Sequence, residues 1–389
     1  MTRKGVWNLQ QVRDKYLQSL WEQTYTLWTG GRGQYGNLAQ NNTTQYSSPV
    51  QVPGTTWNAL AVGEYNNMLA RKSNGTLWAW GRNTQGELGQ NENGDDNDGY
   101  SSPVQIGSST DWGTEIFTPS GWAAAIKTDG TLWAWGTNTG SGQLAQNNRT
   151  SYSSPVQIPG TTWSKGAVGP YRMLAIKTDG TLWSWGRGDY GQLGLNNPGP
   201  TRYSSPVQIP GTDWATVMCG GGDFSGATKT NGELWMWGKG DEGQLGQNTG
   251  DPTRISSPVQ IPGTTWKQLA CNESASAATK TDGTLWAWGN GGSGMLGQNA
   301  TANYSSPIQI PGTTWDKVNS GGDCFTAVKT DGTLWGWGAS DYGQLMQNNE
   351  VSYSSPIQIP GSWTLDNVSN SKNNDCFGAI KKALTPSQL

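Results

Sequence analysis

Short apolar runs separated by paired turn residues fill most of this chain. The stretch KTDGTLWAWG stands at residues 127–136 and again at 280–289, with near-copies starting at Lys72, Lys177, Lys229 and Lys329. Its Asp-Gly or Asn-Gly pair predicts a tight hairpin, because Gly takes positive φ freely and Asp or Asn tolerates it. A small apolar strand such as Ala175-Ile176 precedes the pair and an aromatic strand follows it. At period two, Trp133 and Trp135 share one face of that strand while Leu132 and Ala134 share the other. Both faces are apolar, which predicts a sheet sandwiched between two neighbours.

Three landmarks repeat seven times each. LWxWG ends at Gly81, Gly136, Gly186, Gly238, Gly289 and Gly338, with a seventh copy, LWTGG, ending at Gly31 and carrying Gly30 in place of the second Trp. SSP[VI]Q[VI] has its prolines at 49, 103, 155, 206, 258, 307 and 356, where a strand edge or end tolerates the missing N–H. The third landmark is Trp57, Trp112, Trp163, Trp214, Trp266, Trp315 or Trp363. Spacings of 50, 55, 50, 52, 51 and 49 residues between the glycines, with several short strands per unit, predict an all-β seven-bladed β-propeller. The last unit ends at GAIKK, residues 378–382, without a following aromatic strand, and the first begins at TYTLWTGG without a preceding one. The strand around Tyr25–Trp28 is therefore expected to pair with that around Ala379–Lys381, removing the open edge of a linear array.

The landmarks account for 20 of the 23 tryptophans and leave Trp7, Trp21 and Trp122. A Trp buries up to roughly 250 Å², about 6 kcal/mol gross at about 25 cal/mol per Å². A packing layer is the expected role, and an aromatic surface for stacking sugars or bases is the alternative. The YSSP tyrosines at 46, 100, 152, 203, 304 and 353 can pack while showing their hydroxyls to solvent.

Residues 1–23 fall outside the repeats, which assigns 24–389 to the propeller. Asn8 caps a short helix with Gln11 three residues on. Trp7, Leu9, Val12, Tyr16, Leu20 and Trp21 then supply an apolar stripe with aromatic ends, and this amphipathic helix is expected to anchor the propeller to a partner. The other departure is the insertion NENGDDNDG, residues 91–99, whose Glu92, Asp95, Asp96 and Asp98 form a candidate surface loop. Its carboxylates suit a hard cation, but the EF-hand spacing fails, so a solvated acidic loop is expected.

Composition narrows the chemistry. The chain has no histidine among 389 residues, removing the commonest general base and metal ligand. No phosphate-binding GxxxxGK[ST] occurs, and the Asp of each TDG is committed to its turn. No enzyme activity, no cofactor and no metal are expected. A net charge of −3 gives no general attraction to nucleic acid or anionic lipid. No run of 18 apolar residues spans a membrane, and VWNLQQVRDKY is too polar for a signal-peptide core. Cys219, Cys271, Cys324 and Cys376 fall one per repeat, as buried free thiols or as disulfides between neighbouring blades.

WGRGDYGQLGLNN, residues 185–197, with WGKGDEGQLGQNT from Trp237 and WGASDYGQLMQNN from Trp337, resembles the signature of the regulator of chromosome condensation family. The resemblance covers residues 24–381 and implies a seven-bladed propeller whose loops bind another macromolecule. Members include a nucleotide-exchange factor for a small GTPase that docks on chromatin, and a secreted bacterial inhibitor of β-lactamases. The Asn-, Ser- and Thr-rich texture, with YSSPVQIPGTTW linkers, resembles repeat proteins of marine tailed phages and environmental bacteria. RKGVWNLQQVRDKYLQSLW, residues 3–21, resembles the N-terminal segments of phage virion proteins. The leading expectation is a non-enzymatic virion protein on the head or tail. It would be made in the host cytoplasm without a signal peptide, and would contact capsid or tail proteins or a host surface glycan or protein. The alternative is a cellular propeller that binds and regulates a partner protein.

Overall fold

A computed structural model describes residues 25–92, 99–197, 199–248, 254–360, 365–370 and 376–382. Among the described residues the strands form seven four-stranded antiparallel sheets. Blade 3 is typical: Trp163–Gly169, Arg172–Lys177, Leu182–Arg187 and Arg202–Ile209 pair in that order. The first strands of successive blades touch one another, from Trp57–Val62 of blade 1 round to Leu365–Asn370 of blade 7, and so ring a central axis.

Blade 7 closes the ring as the unmatched halves predict. Leu365–Asn370 and Cys376–Lys382 pair with Tyr25–Gly31 and Tyr46–Gln51 in one sheet. Register runs without a break from Tyr25 opposite Lys382, through Trp28 opposite Ala379, to Gly31 opposite Cys376.

The tryptophans hold neighbouring blades together. Trp135 packs with Trp112 of its own blade and with Leu69, Leu77 and Leu88 of blade 1, whereas Leu132 and Ala134 pack with Trp163 and Trp185 of blade 3. The two faces of one strand thus serve two interfaces. The second Trp of each LWxWG also bonds across the joint. Trp80, Trp135, Trp185, Trp237, Trp288 and Trp337 donate to carbonyls of the preceding blade, for example Trp135 to Glu87 and Trp185 to Gln143, both at 2.9 Å. Gly194 must lack a side chain here, because a Cβ would lie 2.8 Å from Nε1 of Trp237. Blade 7 reverses this pairing. Gly30 replaces its Trp, and Met346 replaces the glycine of the preceding loop, with its methyl 2.9 Å from where a Gly30 Cβ would stand.

The repeated TDGTLW is also explained on the far side of the disc. Asp179 accepts from the Thr181 N–H at 3.0 Å and hydroxyl at 2.7 Å, and Thr181 accepts from Trp183 Nε1 at 2.9 Å. Lys177 lies over the rings of Trp163 and Trp183, at 4.9 and 4.5 Å from their centroids. Lys72, Lys127, Lys229, Lys280 and Lys329 repeat this arrangement in their own blades. These tryptophans are buried or half-buried, as a packing layer requires.

The fourth strand is the outer edge of each blade. Its proline falls at a register shift, as between Tyr152 and Val156, where no ladder bond is lost. A glutamine pins this edge in six copies. Gln40, Gln90, Gln146, Gln247, Gln298 and Gln347 donate to the carbonyls of Gln51, Gln105, Gln157, Gln260, Gln309 and Gln358. In blade 3 the corresponding residue is Leu195, which cannot donate to Gln208. Cys219, Cys271 and Cys324 are buried, and burial together with the neighbouring Asp323 pushes the Cys324 thiol up to about 12.

Candidate functional site

The two sides of the disc differ in how far they keep the repeat. On one side lie the near-identical TDGT turns and the linkers that lead into each first strand. On the other lie the loops between first and second strands, and these differ in length and sequence from blade to blade. They read GEYN (63–66), TPSG (118–121), PY (170–171), GGGD (220–223), NES (272–274) and GGD (321–323) in blades 1 to 6. An internal repeat diverges where the scaffold makes no demand, and loops on one face of such an array commonly carry binding.

These loops surround the mouth of an axial cavity of about 290 Å³. Its wall is largely apolar, with Leu60, Val62, Ile116, Phe117, Val168 and Met218 contributed by four blades, and Glu64 lines it at the loop end. Cys219 and Cys271 also line it.

Tyr65 of blade 1 reaches across the small TPSG loop and hydrogen-bonds the side chain of Tyr171 in blade 3. Burial raises the Tyr65 hydroxyl above its ordinary value, the Tyr171 contact adds to this, and Arg82 opposes it. Arg82 lies over the rings of Tyr35 and Tyr65 at 5.4 and 5.5 Å, and Arg187 over Tyr171 and Tyr190 at 5.7 and 6.0 Å. Arg254 covers Tyr190 at 4.6 Å, and Arg32 covers Tyr342 at 5.6 Å. Asp189 holds Arg187 at 2.5 Å and raises its pKa.

Carboxylates also stand on these loops. Glu273 of blade 5 is raised above the ordinary range first by burial, then by Asp323 of blade 6 and by Glu64 of blade 1, with Lys239 opposing. Ser120 donates to the buried Glu64 carboxylate. The loops beneath are rigidly interlocked. The buried Arg172 of blade 3 donates to the Gly220 and Phe224 carbonyls of blade 4 at 2.7 and 2.6 Å, and meets Asp223 at 3.3 Å. A Cβ on Gly222 would lie 1.8 Å from the Glu273 carbonyl, so glycine is required there.

Trp7, Leu9, Val12, Tyr16, Leu20 and Trp21 lie outside the described residues, as do Asp95, Asp96 and Asp98. Glu92 belongs to the outer rim, where its carboxylate accepts from the Tyr100 hydroxyl and its carbonyl from Asn83 at 3.3 Å. Tyr65, Tyr171, Glu273 and Asp323 carry no motif. The available signal was negative: they sit where the repeat fails to repeat. Among the described residues no group of three or more Cys, Asp or Glu side chains is placed to hold a metal ion.

A closed seven-bladed ring with one divergent face defines the class of the fold, a β-propeller built from sequence repeats. Residues 74–113, 179–228, 231–278, 282–328 and 331–368 match the Regulator of chromosome condensation (RCC1) repeat, as do 163–192 in a second form of it. The chain belongs to that family. It is 30% identical over 140 residues to the RCC1 domain-containing protein RUG3, mitochondrial, of Arabidopsis thaliana, a match covering 35% of this chain and 31% of that protein. It is 27% identical over 183 residues to the human E3 ubiquitin-protein ligase HERC2, covering 44% of this chain and 4% of that one. The chain thus spans less than a third of either relative's length. The structure of Prp20p from Saccharomyces cerevisiae, reported with its binding properties to Gsp1p and histones, superposes with a TM-score of 0.81. It covers 95% of this chain and 94% of that one at 18% identity, a likeness of fold.

These likenesses correct the expectation of a phage virion protein. The relatives are cellular proteins of a plant, an animal and a yeast, so a location in the virion and capsid, tail or host-surface glycan partners are withdrawn. The physical reason is that the texture reports geometry instead of origin. Asn41, Asn91, Asn147, Asn196, Asn248, Asn299 and Asn348 all take positive φ, which Asn tolerates. The serines pack against the preceding blade's loop glycine, as Ser204 does against Gly142. An Asn- and Ser-rich surface is what this ring needs wherever it is made.

Proposed function

We propose that this chain is a non-catalytic propeller that binds and regulates a cellular partner protein through the face carrying the divergent loops. The observation that carries the reading is the confinement of variation to that face. There Tyr35, Tyr65, Tyr171 and Tyr190 are paired with Arg82 and Arg187. Tyr and Arg are the residues over-represented among energetic anchors of protein interfaces. Here they are held by a scaffold that need not reorder on binding. The chain has no histidine, so it lacks the commonest general base. In this reading residues 1–23 are a separate attachment segment and the propeller begins at residue 24.

Gsp1p and histones are the first probes, because the Prp20p structure is reported with its binding properties to them. Binding to either should weaken by more than about 1 kcal/mol on Tyr65→Ala or Arg187→Ala. Lys177→Ala on the opposite side should leave it unchanged. Equal loss from both sides of the disc, or no binding to either probe, would sink the proposal.

A further inference from the structure

We infer that the outer edge of blade 3 accepts an extended segment of a partner protein. The segment adds as a further strand beside Arg202–Ile209 and places an apolar side chain between blades 3 and 4. This edge is separate from the divergent loops. Six blades close the corresponding edge with a glutamine, and blade 3 leaves it open.

An added strand needs main-chain groups that point away from the sheet. In six blades the glutamine pin occupies one of them, the carbonyl of Gln51, Gln105, Gln157, Gln260, Gln309 or Gln358. Those bonds also show that this carbonyl faces outward. Gln208 holds the same place in the ladder, opposite Trp183 as Gln157 is opposite Trp133. Its carbonyl therefore faces outward too, the residue is exposed, and Leu195 has no side-chain donor to offer it. The N–H of an extended chain meets such an acceptor, which is the basis of recognition by strand addition. Pro206 has no N–H to give, so the added strand is short and centred on Gln208.

A second, independent feature lies beside this edge. A cavity of about 460 Å³ occupies the joint between blades 3 and 4, and its lining follows the outer strand from Tyr203 to Pro210. Leu195 and Val207 of blade 3 line it together with Trp214 and Trp235 of blade 4. Its volume admits a side chain or a small molecule alike; the open strand alongside decides between them. Successive side chains of an added strand point to opposite faces, so every second one turns toward blade 4. Lys229 also lines the cavity, but it is paired with Asp213 at 3.1 Å and lies 5.2 Å from the centroids of both Trp214 and Trp235. The wall thus favours an apolar residue.

The test uses the full chain and two acetylated, amidated pentapeptides: Ser-Val-Thr-Val-Ser and the same sequence methylated on its internal amide nitrogens. Calorimetry should find one site for the first and at least about fivefold weaker binding of the second. Leu195→Gln supplies the pin and should abolish the site, and an undiminished urea midpoint will show that the fold is kept. Gln146→Leu unpins Gln157 at the joint of blades 2 and 3, where Trp163 and Trp183 stand as Trp214 and Trp235 do. It should raise the stoichiometry from one to two. Tyr65→Ala, on the divergent face, should leave peptide binding unchanged. Equal binding of the methylated peptide would leave an apolar slot without strand addition and overturn the inference. So would no binding, binding that survives Leu195→Gln, a stoichiometry of one in Gln146→Leu, or sensitivity to Tyr65→Ala. A parent chain that dimerises in sedimentation while Leu195→Gln stays monomeric would give the edge to a second copy and overturn the partner assignment.

Discussion

Gly30 and Met346 should behave as one exchanged pair. In six blades a buried indole lies on the small loop residue of the blade before it, and at the closing joint the large and small partners have traded places. Met346→Gly removes a side chain that is 4% exposed, a loss of about 2–4 kcal/mol for a buried methionine. Relief of a left-handed backbone, φ 53°, returns about 1 kcal/mol. Gly30→Trp alone forces an indole onto the Met346 methyl and costs about 1–3 kcal/mol by overpacking. Combined, the substitutions recreate the joint of the other blades, and the new indole N–H faces the Gln344 carbonyl as Trp337 faces that of Met295 at 2.8 Å. The double variant should lie within about 1 kcal/mol of the parent, a coupling of at least about 2 kcal/mol between the two sites. Equilibrium urea unfolding of the four proteins, followed by circular dichroism, measures it. Additivity within about 0.5 kcal/mol would refute the exchange.

Leu195→Gln should restore the missing pin to the Gln208 carbonyl and stabilise the protein by about 0.5–1.5 kcal/mol, read as a higher urea midpoint with unchanged slope. Deleting residues 376–389 removes the second strand of blade 7, and the truncated chain should lose its cooperative melt and aggregate, as size-exclusion chromatography would detect. Thr hydroxyls and N–H groups hold Asp129, Asp179, Asp282 and Asp331 below the usual carboxylate range. Their contribution is therefore present above an unfolded pKa of about 3.9 and lost as pH falls through the lower folded value. Replacing all four with Asn, as Asn74 and Asn231 already stand in blades 1 and 4, should flatten the loss of stability below about pH 4 in acid titrations. Cys324 should resist thiol reagents at pH 8 until the protein unfolds, because its thiol is held near 12; labelling at the rate of a free thiol would contradict its burial.

The blades were legible in the sequence because each strand, turn and packing Trp depends on chemistry within a few residues of itself. Asp179, Thr181 and Trp183 form one local chain of bonds, and any copy can be read from any other. Ring closure was legible for the same reason, since an unmatched strand at each end needs a partner. The candidate site was not legible. Tyr65 meets Tyr171 across 106 positions, and Glu273 feels Glu64 across the axis, contacts that exist only once the ring is closed. The phage-like texture misled for the converse reason: positive-φ asparagines and close-packed serines are demanded by geometry in every copy.

The shared blade also sets an order of events. During synthesis Tyr25–Gly31 leaves the ribosome first, yet its partner Cys376–Lys382 follows some 345 residues later. For an unstructured chain, bringing such distant segments together would cost about 5 kcal/mol in loop-closure entropy. Blades 1 to 6 lie between them in sequence and, once folded, carry the two segments round the circle to within reach, so most of that cost is met before they pair. Until then the first strand to be made has neither neighbour on that side nor cover. The ring therefore makes its earliest strand wait for its latest, and a pause in translation before residues 376–382 would hold open an edge that the closed ring hides.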